Sequence, residues 1–302
     1  MKEVSIFERF ITIGGEEMRS TKKNYLLAMV ILSVIILTLF LIGCTPFKDA
    51  PQGLSEDTRS FTKIRDERMI AEAQDYRGYI YKSGKEAFCF RLKSPEIHSD
   101  KQYPLIVFLH GMGDWGSDNS RHMYRSLIDS VEKYAPEDAF VFMPQAVKNW
   151  DWSDTGVLVD KGGMDKMYNE CLDLLLDKYP IDKKRVYLTG MSMGGHGTVW
   201  QATNHAEKYA AIMPVCGLFY FEKSGIQVQN LDKIADKPMW FFHSRNDKTV
   251  PFDNSIKLIN ELESLGAKDI KTSWFDEPLH DITKLSYDDR EVWDWLFSQS
   301  LK

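Results

Sequence analysis

Six short apolar runs, each separated from the next by a longer amphipathic or turn-rich stretch, limit this chain to few architectures. They are Pro104–His110 (PLIVFLH), Ala139–Pro144 (AFVFMP), Arg185–Gly190 (RVYLTG), Ala210–Gly217 (AAIMPVCG), Met239–His243 (MWFFH) and Ile270–Phe275 (IKTSWF). Runs this short and this continuously apolar suit strands buried on both faces, as parallel strands are. Helical patterning falls between them, at Ser120–Tyr134, Met164–Lys178, Gly194–Thr203, Asn254–Leu265 and Asp289–Gln299. Strand–helix alternation predicts an α/β fold: a mostly parallel sheet covered by helices on both faces. Ahead of the series, Gly78–Tyr81 and Ala87–Leu92 flank Ser83-Gly84-Lys85 and read as an N-terminal antiparallel hairpin. In such sheets ligands bind beyond the carboxyl ends of the strands, so chemistry is expected there.

The stretch before the sheet reads as an address. Tyr25–Ile42 is uncharged and apolar, follows Arg19, Lys22 and Lys23, and ends in Leu41-Ile42-Gly43-Cys44. That ending is similar to a bacterial lipobox, whose Cys, here Cys44, becomes lipidated and N-terminal after cleavage. The run is also long enough to stay as an uncleaved membrane helix. Either way the rest of the chain is expected in the cell envelope, held to a membrane and facing away from the cytoplasm. Met18 opens a more ordinary signal sequence than Met1 does, so the start is read as either Met1 or Met18. The organisation read from sequence is therefore a signal or anchor over 1–43, a polar tether over 44–68, and a catalytic domain over 69–302.

With 38 Lys and Arg against 44 Asp and Glu, the net charge is −6, so nothing favours binding to phosphate backbones and no nucleic-acid partner is expected. Beyond Cys44 the cysteines are Cys89, Cys171 and Cys216, an odd number without CxxC spacing. They read as core thiols, with neither a disulfide framework nor a metal site indicated.

Gly190-Met191-Ser192-Met193-Gly194 is G-x-S-x-G between a predicted strand and a predicted helix. Small residues allow the sharp turn that lifts a serine hydroxyl out of the sheet, and the helix N-terminus favours negative charge beside it. A serine hydroxyl is a weak nucleophile and needs a general base, itself oriented by a carboxylate. Asp247 lies in the loop after MWFFH, where an orienting acid belongs, with Asp253 as its nearest rival. His280 is the one histidine beyond Asp247 and follows the strand IKTSWF. Ser192, Asp247 and His280 are thus the candidate nucleophile, acid and base. Of the other histidines, His196, His205 and His243 read as structural or surface residues, and His98 and His122 have no partner motif. The loop His110-Gly111-Met112 ends a strand and is expected to give one backbone N–H to an oxyanion hole. Met112 is the first choice there and Gly111 the second, and Met193, directly after the nucleophile, gives the other N–H.

With these residues in place, the chain from about Tyr79 to Leu301 resembles the α/β-hydrolase superfamily. More narrowly it is similar to bacterial feruloyl and acetyl-xylan esterases of the group labelled phospholipase/carboxylesterase or predicted peptidase. The resemblance rests on YPLIVFLHGMGDWG, on YPIDKKRVYLTGMSMGGHGTVWQATNHAEKYAAIMPVCG, and on the Asp247 and His280 loops. It implies serine ester hydrolysis through an acyl-enzyme, with Ser192, Asp247 and His280 carried over and no metal or organic cofactor. Two departures stand out: Ser244 follows the strand-ending His243 where glycine is frequent, and His280 lies in Pro-Leu-His-Asp without a flanking glycine. The expected substrate is an ester, with acylated carbohydrate as a candidate and Trp150 and Trp152 as candidate stacking walls. The stretch from Phe219 to Asn230 is another candidate wall. A peptidase or acyltransferase on the same three residues, or an idle fold serving as a lipoprotein binding module, are the alternatives.

Overall fold

The computed structural model describes residues 53–58, 75–154, 162–221 and 226–302. Residues 51–302 cluster as one compact unit. The apolar run Tyr25–Ile42 and Cys44 lie outside the described residues, and among those described no helix is long and apolar enough to cross a membrane.

The strands are β1 (Leu54–Glu56), β2 (Tyr76–Ser83), β3 (Glu86–Lys93), β4 (Tyr103–Leu109), β5 (Phe140–Gln145), β6 (Ile181–Met191), β7 (Ala211–Val215), β8 (Tyr220–Phe221), β9 (Ile226–Gln227), β10 (Met239–Ser244) and β11 (Ile270–Phe275). The helices are α1 (Arg125–Tyr134), α2 (Asp165–Lys178), α3 (Met193–Asn204), α4 (Asp253–Ser264), α5 (Thr283–Tyr287) and α6 (Arg290–Phe297). Nine strands form one sheet in the order β1-β2-β3-β5-β4-β6-β7-β10-β11, and β8 and β9 pair separately. The pairings β1/β2, β2/β3 and β3/β5 are antiparallel. From β5 to β11 every pairing is parallel.

The six apolar runs are thus the parallel strands, and the expected hairpin is β2–β3. Every residue of β4 is buried. Its side chains alternate between two cores, Leu105, Val107 and Leu109 on one face and Ile106 and Phe108 on the other. The first core is closed by α2, α3 and α4, the second by α1, Tyr287 of α5, and α6. A strand covered on both sides has no polar face to show, which is why the alternation typical of half-exposed strands is missing here.

One boundary moves. Leu54–Glu56, assigned to the tether by its polar composition, pairs with Tyr79–Tyr81 as the edge strand β1. Asp57 just after it is buried, and its carboxylate accepts from Asn119 Nδ2 at 3.2 Å. A three-residue edge strand holds too few side chains to display a period, so its partner β2 decides it.

From β4 the chain passes to β5 on one side, then returns to lay β6 on the other. The β4/β6 boundary is therefore the point where strand order reverses, and a crevice opens there above the carboxyl ends. Gly111 and Ser192 leave the sheet at that boundary.

Candidate active site

Ser192 sits between β6 and α3 with φ 58° and ψ −113°. A non-glycine residue rarely adopts positive φ, and here the turn is held by Ser192 N–H donating to Val215 O at 2.9 Å and His196 N–H donating to Ser192 O at 2.9 Å. The glycines around it are required by close approach. A Cβ on Gly190 would stand 2.5 Å from Gly194 O, and one on Gly194 would stand 1.8 Å from Leu109 O.

The three candidate residues meet. Ser192 Oγ lies 2.8 Å from His280 Nε2, and His280 Nδ1 lies 2.6 Å from Asp247 Oδ2. Their spacing along the chain hides this, because β6, β10 and β11 are not consecutive, yet β7, β10 and β11 lie side by side beyond β6. The other Asp247 oxygen accepts from the N–H groups of Thr249 at 2.8 Å and Val250 at 3.0 Å. Burial pushes the Asp247 carboxyl up, but hydrogen bonds from His243, His280, Val250 and Thr249 outweigh it, and the net position is well below the usual carboxylate range. The group is a fixed anion facing a ring N–H. Asp253, the rival acid, is the first residue of α4.

Of the oxyanion candidates, Gly111 comes close to Ser192. An added Cβ on Gly111 would lie 3.6 Å from Ser192 Cβ, so that loop runs directly beside Ser192. Met112 opens a short 3₁₀ helix, Met112–Asp114, and Met193 opens α3. The first N–H of a helix has no acceptor within it, so both positions are suited to present a donor. Met112 is 41% exposed, as a residue used through its backbone can be.

A family model described as Phospholipase/Carboxylesterase matches residues 93–287, well over half of the chain. This chain belongs to the phospholipase/carboxylesterase family. A bifunctional acetylxylan esterase/xylanase from Neocallimastix patriciarum is 30% identical over 154 residues, covering 49% of this chain and 20% of that protein. Dipeptidyl-peptidase 5 of Porphyromonas gingivalis is 21% identical over 203 residues, covering 65% of this chain and 27% of that protein. The crystal structure of a thermostable esterase aligns with TM-score 0.67 and 29% identity, over 76% of this chain and 64% of that one. The chain thus spans about a fifth to a quarter of the curated relatives it matches.

Within this family member several residues around the site were not singled out from sequence for the work they do. His110, noted only as a strand end, is fully buried. Its Nδ1 lies 2.7 Å from Gly111 O, and its Nε2 accepts from Ala146 N–H at 2.9 Å. It therefore ties the Gly111 loop to the end of β5, and burial lowers its pKa to about 4, so it is neutral. His243, expected to be structural, bonds Ser255 Oγ at 2.7 Å and Val250 O at 3.1 Å, and its Nε2 is 3.4 Å from Asp247 Oδ2. Ser244, one of the departures from the family pattern, bonds Glu277 O through its Oγ and accepts from Asn246 N–H at 3.2 Å. Asn246 Nδ2 in turn donates to Asp276 O at 2.6 Å, so the acid loop and the histidine loop are sewn together. Cys216 Sγ donates to His280 O at 3.1 Å. A serine after the strand was the available signal for the first of these links.

One expectation is overturned. Trp152 is fully buried, its ring edge-on to His110 and Tyr168, with Nε1–H donating to His110 O at 3.1 Å. It cannot offer a face to substrate; it is part of the core beneath the His110–Gly111 loop. A Trp in a loop after a strand looks the same in sequence whether it points in or out. Trp150 is partly exposed, and its carbonyl accepts from Trp115 Nε1–H at 2.6 Å. In the stretch from Phe219 to Asn230, Phe219 and Val228 belong to the core.

Cys89, Cys171 and Cys216 are buried and form no disulfide with one another, as core thiols should. Among the described residues, Cys216, Asp247 and His280 bring potential metal-ligating atoms within 4.8 Å of one another. Each of those groups is already engaged in the hydrogen bonds given above.

Proposed function

We propose that this chain is a serine carboxylic ester hydrolase working through an acyl-enzyme. The observation that carries the reading is the unbroken hydrogen-bond chain from Ser192 Oγ through His280 to Asp247, with a partly exposed nucleophile at its head. His280 Nε2 takes the Ser192 proton as Oγ bonds to the ester carbonyl carbon. The oxyanion then faces the N–H groups of Met193 and of Met112 or Gly111. Asp247 holds Nδ1–H and stabilises the imidazolium. The C–O bond to the alcohol breaks as that proton passes from Nε2 to the departing oxygen. Water, deprotonated by His280, attacks the acyl carbon, and as the bond to Ser192 Oγ breaks that proton returns from Nε2 to Oγ and the acid leaves. Losing either oxyanion donor costs about 3 kcal/mol of transition-state stabilisation.

The reading extends to place and substrate. The lipobox-like Leu41-Ile42-Gly43-Cys44 supports attachment to the cell envelope, through lipid on Cys44 or through the apolar run before it. The acetylxylan esterase relative supports acylated carbohydrate as substrate. Trp150 remains a candidate wall of the cleft. A peptidase reading draws on the Porphyromonas relative.

The test uses full-length wild type and Ser192→Ala in detergent on nitrophenyl acetate, methyl ferulate, an acetylated xylo-oligosaccharide and a peptide amide. The expected result is ester turnover abolished by Ser192→Ala, with the amide untouched. Turnover surviving in Ser192→Ala refutes the mechanism, and Ser192-dependent amide cleavage without ester turnover installs the peptidase. Mass analysis of the N-terminal peptide tests lipidation, with an acylated Cys44 expected.

A further inference from the structure

The large sheet ends on a strand whose outer side is unpaired. β11 bonds only to β10, in a parallel register that runs residue by residue from Ile270 to Phe275 without a bulge. We propose that this edge pairs with the β11 edge of a second copy of the chain, antiparallel across a two-fold axis at Thr272. The sheet then continues from one copy into the other. This pairing is independent of the chemistry at Ser192.

Along a strand the backbone groups of successive residues point to alternate sides. Met239 N–H donates to Asp269 O at 2.9 Å and Arg245 N–H donates to Phe275 O at 2.8 Å, so the odd-numbered residues of β11 face β10. The N–H and C=O groups of Ile270, Thr272 and Trp274 therefore point outward, and they have no hydrogen-bond partner among the described residues. Such an edge is commonly guarded by being very short, by proline, by a bulge or by an outward lysine. The opposite edge of the sheet obeys this, since β1 has three residues. β11 carries none of these guards. Its one lysine, Lys271, turns back to its own chain, with Nζ 2.8 Å from Glu291 Oε1 and 4.1 Å from the centre of the Trp240 ring. Every residue of β11 keeps some exposure.

The edge is complementary to itself reversed, which is why the occupant is a second copy. Centred on Thr272, the pairing sets Thr272 opposite Thr272 and Ile270 opposite Trp274, the latter twice. Each of these facing pairs exchanges two N–H···O bonds, about six in all. Thr against Thr and a β-branched residue against an aromatic one are favourable cross-strand pairs. Neighbouring registers are poorer: centring on Lys271 sets lysine against lysine, and centring on Ser273 sets Ile270 against Asp276. Either keeps only about four bonds within the strand. Charge agrees with the Thr272 register, because it brings Lys268, just before the strand, level with Asp276, just after it, at both ends of the pair. Lys268 is exposed and makes no ion pair among the described residues. Asp276 is held by Arg245 at 2.8 Å, yet its side chain is 77% exposed. Beyond these charges the exposed Leu265 lies on the entry side of the strand and the exposed Leu279 on its exit side. An antiparallel copy sets entry beside exit, so apolar surface meets apolar surface.

The experiment measures the mass of the full-length chain in density-matched detergent by sedimentation, for wild type, Lys268→Glu, Asp276→Lys and an equal mixture of the two variants. Wild type is expected to sediment as a dimer. Each variant places like charges together at both ends and should raise the dimer Kd by about tenfold. In the mixture Glu meets Lys at one end and Lys meets Asp at the other, so the dimer should return, which also shows that both variants are folded. A second arm fixes the register. Facing residues with paired hydrogen bonds stand about 5.5 Å apart between Cα atoms, a separation that a disulfide spans. Thr272→Cys, oxidised with copper phenanthroline, should therefore cross-link to its own copy, whereas Ile270→Cys, which faces residue 274, should not. A monomeric wild type overturns the proposal and leaves the edge to a different partner. A dimer indifferent to both charge reversals overturns it by moving the interface elsewhere. Failure of the mixture to restore the dimer, or cross-linking of Ile270→Cys as complete as that of Thr272→Cys, overturns the pairing as well.

Discussion

Replacing Gly194 with alanine should cost far more activity than stability. The added Cβ would stand 1.8 Å from Leu109 O, 2.5 Å from Leu109 C and 2.9 Å from His110 O, where ordinary contact begins at 3.4 Å. Both partners are backbone, one at the end of β4 and the other in the first turn of α3, so no side chain can swing aside. Relief requires α3 and β4 to part by about 1.6 Å at this point, taking ordinary contact as the target. Met193 begins α3 and the Gly111–Met112 loop continues β4, so the two proposed oxyanion donors ride on the two backbones that separate. A hydrogen bond near 2.9 Å does not survive a stretch of more than 1 Å. Loss of one donor lowers kcat by about 100- to 1000-fold, while overpacking costs about 1–3 kcal/mol of stability. The assay is kcat and KM on nitrophenyl acetate alongside thermal unfolding. The expected variant is folded, melts somewhat lower, and loses its rate in kcat with little change in KM. Wild-type kcat together with a wild-type melting temperature would refute the reasoning, since α3 could not then approach β4 so closely.

Other outcomes follow from the same geometry. Asp247→Asn should lower kcat by roughly 10⁴-fold with modest loss of stability, because an amide N–H₂ facing His280 Nδ1 favours the wrong tautomer; undiminished kcat would move the orienting role to another carboxylate. Asp247, held as an anion in the folded state, contributes stability that is present above about pH 4 and fades as pH falls below it. The urea-unfolding gap between wild type and Asp247→Asn should therefore narrow from pH 7 to pH 3, and a widening gap would contradict it. Burial lowers His110 and His196 from 6.5 to about 4, so the unfolded chain takes up protons first as pH drops. Stability should be complete above about pH 6.5 and decline toward pH 4, by about 3 kcal/mol for each ring; a flat profile across that window would show that these rings do not stay neutral. Trp152→Ala should destabilise the fold by about 3–5 kcal/mol, measured by urea unfolding, through lost packing under the His110–Gly111 loop. A stable variant with only a raised KM would return Trp152 to the substrate.

The roles that local chemistry can carry were legible in the chain. Continuous apolar runs marked the parallel strands, because burial on both faces removes every polar position. The glycines of Gly190-Met191-Ser192-Met193-Gly194 marked a turn that tolerates no Cβ, and a lone histidine beyond Asp247 left one residue for the base. None of these needs knowledge of which strands are neighbours. What the tertiary structure decided are contacts between segments far apart in sequence. It placed Leu54–Glu56 on the sheet edge against β2, turned Trp152 inward to meet His110, and sewed Ser244 to Glu277. It set His243 behind Asp247, and gathered Asp114, Arg121, Asp281 and Lys284 around one cavity. A loop residue of given type reads the same whether it faces the core or the solvent, and only the strand order determines which loops meet above the sheet. Local chemistry marks the candidate reacting groups in the chain; the order of the strands sets what surrounds them.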